Sequence, residues 1–252
     1  VFAVYFFSNP KPQSYYDYTF RVAENILHGR IAFTEKQPGW LNEFVPFEAY
    51  YYSVFPLGSV ISMLPFAAMK TAGLIADMPG AFIAAASAST IFIFLLLIAG
   101  RYEHTVERRV LMPLGILFAT WMWTDLTMAG AWQLALGFAM LGEAAAIWFT
   151  AYKPHPFLAG AFFALAFGNR TEILLMAPVF LYVFSRENSR SGEQSAAAPF
   201  IRKATAFCLI PLLLGVATLI YNYVRFHSFT DFGYARIPGV ITEPWYNHGI
   251  FS

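Results

Sequence analysis

The run GAFIAAASASTIFIFLLLIAG, residues 80–100, carries no charged side chain. A helix needs about 20 predominantly apolar residues to cross the hydrocarbon core of a bilayer, and this run supplies them. Further apolar runs lie at about 110–125, 131–152, 157–184 and 204–224. The fourth is interrupted near its middle by Asn169, Arg170 and Glu172, which splits it into two short helices. Residues 54–76 are apolar too, but Pro56, Gly58, Pro65, Lys70 and Gly73 break the run. An interfacial or re-entrant element and a true span are equally compatible with that stretch.

Composition agrees. The chain is 58% hydrophobic and only 12% charged, far from the roughly 25% charge of a soluble domain, which places it among integral membrane proteins. A net charge of +1 without a cluster of Lys and Arg gives no sign of a nucleic-acid partner. The single cysteine, Cys208, allows no internal disulfide. His28, His104, His155, His227 and His248 have no metal-ligand spacing, and the chain contains no zinc motif, P-loop or nucleophile elbow. No cofactor is therefore assigned, and dependence on a divalent metal is not legible in the residues.

Positive charge orients the spans. RYEHTVERR (101–109), YKPHP (152–156) and RENSRSGEQSAAAPFIRK (186–203) all place Lys or Arg beside a membrane entry, whereas the connection at 126–130 has none. If residues 54–76 stay outside, all three basic segments face the cytoplasm. The expected fold is an all-α integral membrane bundle with a large extracytoplasmic first loop carrying amphipathic helices. Its parts are the end of a first span (1–7), that loop (8–79), transmembrane helices (80–224) and the start of a further extracytoplasmic segment (225–252). VFAVYFF at residues 1–7 is too short to cross alone, and EPWYNHGIFS at 243–252 has no terminator, so a piece of a longer protein is expected.

Within the first loop, SYYDYTFRVAENILHGR (14–30) is amphipathic on a helix. Tyr16, Phe20, Ala23 and Leu27 recur on one face, and Asp17, Arg21, Glu24 and His28 on the next. Asp17 has two readings of equal weight. As an S-x-x-D capping box it serves Ser14, with Arg21 as its i,i+4 partner; as a fixed carboxylate it can act on a substrate.

The orientation brings Asp17, Asp125, Arg170, Glu172 and Arg225 to the same outer face, where charge at span ends calls for pairing or a wet cavity. Such a cavity suits a substrate with a lipid tail and a polar head. Arg170 is read either as an ion pair with Glu172 or as a fork of donors for phosphate. Glu143, deep in the span at 131–152, has no partner that the sequence identifies. Asn169-Arg170-Thr171 matches a glycosylation triplet but sits at the bilayer surface, a poor place for an acceptor.

The segments SYYDYTFRVAENILHG, YYYSVFPLGSVISMLPF, GNRTEILLMAPVFLYVF and LIYNYVRFHSFTDFGY together resemble successive signatures of bacterial multi-pass glycosyltransferases of the GT-C type. These are relatives of the protein O-mannosyltransferase and aminoarabinose transferase group. The resemblance runs from about residue 14 to the end. It implies transfer of a sugar from a polyprenyl-phosphate donor, usually with inversion, to a glycan, lipid or protein acceptor on the outer face of the inner membrane. It also implies Asp17 as the catalytic base, matches Tyr52–Gly58 to the loop element that follows it and places Arg170 at an outer helix break; the charges shared on the outer face add Arg225 on the donor phosphate, with Glu172, Asp125 and Tyr52 as candidates for support. Tyr15, Tyr16, Tyr18, Trp40 and Tyr50–Tyr52 are candidates for stacking on sugar, or for an interfacial belt. Asp17 is followed by Tyr18, so the paired acidic motif of protein mannosyltransferases is absent, and the acceptor class stays open. The competing classes are a transporter or flippase of a lipid-linked or anionic substrate, which Glu143 would favour, and a non-catalytic membrane scaffold.

Overall fold

A computed structural model of the chain describes residues 1–9, 16–38, 41, 43–190 and 197–237. In chain order the elements are α1 (Phe2–Ser8), α2 (Tyr18–Leu27), β1 (Phe44–Phe47), β2 (Tyr50–Ser53), α3 (Leu57–Thr71), α4 (Gly80–Ala99), α5 (Val106–Phe118), α6 (Trp121–Met128), α7 (Ala131–Ile147), α8 (Pro156–Asn169), α9 (Ala177–Arg190) and α10 (Ala197–Phe226). The protein is mostly helical, as expected of an all-α membrane protein. Among the described residues, three helices are long and apolar enough to cross a membrane: Gly80–Ala99, Ala131–Tyr152 and Ala198–Phe226.

The chain divides into two compact units. One comprises Val1–Gln13 and Pro79–Leu214, the other Ser14–Met78 and Gly215–Ser252. The first loop thus folds as a unit with the C-terminal segment, and α10 contributes residues to both.

In the first unit, α4 packs against α1, α5 and α7, and α7 packs along α8. Small residues let the last pair approach. A Cβ on Gly142 would lie 2.6 Å from the Phe162 carbonyl oxygen and 2.7 Å from the Ala166 nitrogen. Close backbone contact of this kind replaces the hydrophobic drive that helices lack in lipid. Phe163, Phe180, Phe184 and Phe207 form an aromatic core beside this pair, on α8, α9 and α10. The buried Tyr5 of α1 donates its hydroxyl hydrogen to the Leu117 carbonyl at the end of α5.

Two expected spans differ in detail. The run at 110–125 is a pair of helices, α5 and α6, bent by 56°. Thr120 is the cause: its backbone is extended (φ −124°, ψ 176°), and its hydroxyl accepts the Met122 N–H at 3.2 Å, so a new helix starts where the first would continue. The break predicted at Asn169–Glu172 is present. Arg170 is extended (φ −137°, ψ 99°) between α8 and a 3₁₀ segment, Thr171–Met176, that leads into α9.

In the second unit, α2 packs on α3, where Lys70 of α3 reaches Glu24 of α2 at 2.9 Å. At 15 residues, and about 1.5 Å per residue, α3 spans about 22 Å, short of a roughly 30 Å hydrocarbon core. In a chain expected to be all-α, FVPF and YYYS form an antiparallel hairpin with Val45 opposite Tyr52. A positive φ of 55° at Glu48 closes its tip. The buried face of α2 consists of Tyr18, Thr19, Phe20, Val22 and Ala23. Tyr16 and Leu27, expected on that face, are exposed: Tyr16 precedes the helix and Leu27 is its last residue.

Candidate functional site

Asp17 sits immediately before the first residue of α2, with φ −97° and ψ 27°, and its side chain makes no cap hydrogen bond. The capping-box reading is therefore corrected: Asp17 occupies the cap position itself rather than the third helical residue, and Ser14 lies outside the described residues. The carboxylate turns instead to Arg21, whose Nε donates to Oδ1 at 2.6 Å. The Asp17 side chain is 11% exposed and that of Arg21 35%. Burial pushes the Asp17 carboxyl above the usual carboxylate range, and the Arg21 guanidinium opposes that shift without cancelling it.

The neighbours of Asp17 are held by packing. Tyr18 is buried between the rings of Phe44 (5.6 Å) and Phe55 (5.5 Å). Its phenol is hydrogen-bonded to Glu43, and burial together with that carboxylate pushes its pKa far up. Tyr18 is thus a core residue and not a platform for sugar. Tyr52 is also in the core, with its ring 5.7 Å from that of Phe226, and burial raises its phenol. Tyr16 and Tyr50 are the exposed aromatics of the expected set, while Tyr15 and Trp40 lie outside the described residues.

Arg225 departs furthest from expectation. Only 1% exposed, it donates to the Ser53 carbonyl and, at 2.6 Å, to Asn222 Oδ1, while its guanidinium lies 3.8 Å over the Tyr221 ring. A guanidinium so enclosed fastens the end of α10 to the end of β2 and has no fork turned outward for phosphate. Beside it, Arg236 pairs with Asp231 at 2.8 Å and lies 4.3 Å over Phe47. Glu43, Asn222 and the Asp231–Arg236 pair escaped the sequence reading. The run EAYYYS, rich in strand-forming aromatics, was the one signal that pointed to the hairpin collecting them.

In the first unit, Arg170 forms the expected pair with Glu172: Nε to Oε1 at 2.8 Å and Nη2 to the same oxygen at 2.8 Å. Its guanidinium also lies 5.7 Å from the Trp132 ring centroid. Glu172 is 58% exposed, so the pair is open to water. Asn169 is buried and donates to the Leu165 carbonyl at 2.9 Å, which closes the glycosylation triplet to modification. Asp125 on α6 and Glu143 on α7 are half-buried and have no ion pair among the described residues. Nor do the described residues contain a group of three or more His, Cys, Asp or Glu able to hold a metal ion.

No protein-family model, curated protein or solved structure matches this chain, so its own residues carry the functional reading.

Proposed function

We propose that this protein is a membrane glycosyltransferase that moves a sugar from a polyprenyl-phosphate donor to an acceptor hydroxyl, with Asp17 as general base. The observation that carries the reading is a carboxylate buried at a helix start, held by one side chain at one oxygen. It is raised in proton affinity, and its geometry gives it no capping work to do. A carboxylate of raised proton affinity is a stronger base toward an acceptor hydroxyl. In the reaction the acceptor oxygen bonds to the anomeric carbon as the bond from that carbon to the donor phosphate breaks. The lipid phosphate departs with the electron pair, and the acceptor proton passes to Asp17. The sequence signatures around Asp17 and Tyr52–Gly58 support the same assignment.

Asp17→Asn preserves size and should lower turnover roughly 10²-fold or more. The assay is release of polyprenyl phosphate from a panel of polyprenyl-phosphate hexoses and pentoses by the membrane-embedded protein. Near-normal release by the Asn variant removes the base and the reading with it.

A transporter of a lipid-linked or anionic substrate is the second reading, favoured by the half-buried Glu143 on α7. Flux of a labelled polyprenyl-phosphate sugar across proteoliposomes, lost in Glu143→Gln while Asp17→Asn retains it, would select that reading instead.

A further inference from the structure

An i,i+4 pair of Asp and Arg on a helix usually counts as a minor surface bond worth a few tenths of a kcal/mol. The pair at the start of α2 has a different setting. Its acid is nearly buried while its base is one-third exposed, and the bond is a charge-assisted contact of 2.6 Å from Nε to a single oxygen, Oδ1. Among the described side chains, Arg21 is the hydrogen-bond partner of this carboxylate, and the Asp17 backbone N–H acts on it as well. The Arg21 bond restrains the orientation of the carboxylate about its own axis.

We infer that Arg21 is the positioning residue of the Asp17 base: its Nε–H, bonded to Oδ1, holds the carboxylate ionised and oriented in its nearly buried site. The inference rests on the reading of Asp17 given above. It adds a residue whose role runs through Asp17 and not through the substrate.

The other charged and titratable groups around this point leave the task to Arg21. Glu24, one turn beyond Arg21, acts on Asp17 in the opposite sense and is itself paired with Lys70 of α3 at 2.9 Å. Lys70 in turn lies 5.4 Å from the Phe20 ring centroid. Tyr18 is engaged by Glu43 on the approach to β1, so neither supplies positive charge to Asp17. Among the described residues, Arg21 is the cation that acts on the Asp17 carboxylate.

The test compares Arg21→Gln, Arg21→Lys and Asp17→Asn in the membrane-embedded protein. Two readouts are used: the pH profile of polyprenyl-phosphate release, and the carboxyl band of Asp17. The band is isolated by infrared spectroscopy as the difference between each protein and its Asp17→Asn counterpart. Arg21→Gln should move both the acidic limb of the profile and the infrared titration of Asp17 to higher pH. Arg21→Lys keeps the charge but not the Nε–H geometry, and its titration should fall between wild type and Arg21→Gln, with a lower maximal rate. An infrared titration of Asp17 that stays put in Arg21→Gln overturns the inference, and the Lys variant decides if the Gln variant does not fold. Normal turnover by Asp17→Asn alone defeats the catalytic reading, while the infrared result still reports on whether Arg21 sets the state of Asp17.

Discussion

At the scale of single residues, the behaviour of Asp17 with pH separates a catalyst from a stabilising group. Its carboxyl is raised in the folded protein, so the folded state binds its proton more tightly than the unfolded chain does. Stability is then highest below the ordinary carboxylate range and declines as pH rises from that range through the folded-state value, after which the deficit is constant. Asp17→Asn removes this deficit. Its melting temperature at neutral pH should equal or exceed that of wild type, with the margin vanishing in acid, as thermal denaturation in detergent would show. A lower melting temperature at neutral pH would make Asp17 a structural residue. Arg225 is expected to do the opposite. Arg225→Met leaves the Ser53 carbonyl and Asn222 Oδ1 without their donor, and burial of such groups costs about 1–3 kcal/mol each at most, so a clear fall in melting temperature is expected. An unchanged melting temperature would show that water replaces the guanidinium. If Arg170 receives the donor phosphate, Arg170→Lys should weaken use of the polyprenyl-phosphate donor, since one ammonium does not reproduce a guanidinium fork, and unchanged donor kinetics would confine Arg170 to its pair with Glu172.

Between elements, small residues decide how closely helices meet. A Cβ on Gly160 of α8 would fall on the Phe207 carbonyl of α10, where backbone and not a yielding side chain is in the way. Gly160→Ala should therefore destabilise the protein by roughly 1–3 kcal/mol, read as a lower melting temperature, because α8 and α10 must part beside the core of Phe163, Phe180, Phe184 and Phe207. Gly115, whose added Cβ would meet nothing within 4 Å, is the control, and Gly115→Ala should leave the melting temperature unchanged or raise it slightly. Equal changes at both positions would mean that the close approach at Gly160 does not govern. The same scale explains the bend between α5 and α6. Hydropathy sees a continuous apolar run from 110 to 125, but a Thr hydroxyl that caps a new helix is invisible to hydropathy, and Thr120 does this.

For the whole molecule, the arrangement of basic segments makes a prediction about sidedness. Cysteines introduced at Ser189 and Gln37, in a background with Cys208 replaced by Ser, should react with a membrane-impermeant maleimide from opposite sides of the membrane. Labelling of both from one side would overturn the orientation. Much of the helical organisation was legible in the residues themselves, because length and apolarity are local quantities. Runs such as 80–100 announce helices long enough to cross a bilayer, and the four polar residues at 169–172 announce a break, whatever surrounds them. The fate of each charged residue was not legible. Asp17, Arg170 and Arg225 look alike in the sequence as isolated charges at element ends. Tertiary packing makes the first a nearly buried carboxylate with one partner, the second half of an open ion pair, and the third an enclosed anchor between a helix and a hairpin. The physical reason is that desolvation and hydrogen-bond partners are set by residues distant in the chain, as Ser53 is from Arg225, and no local pattern carries that information.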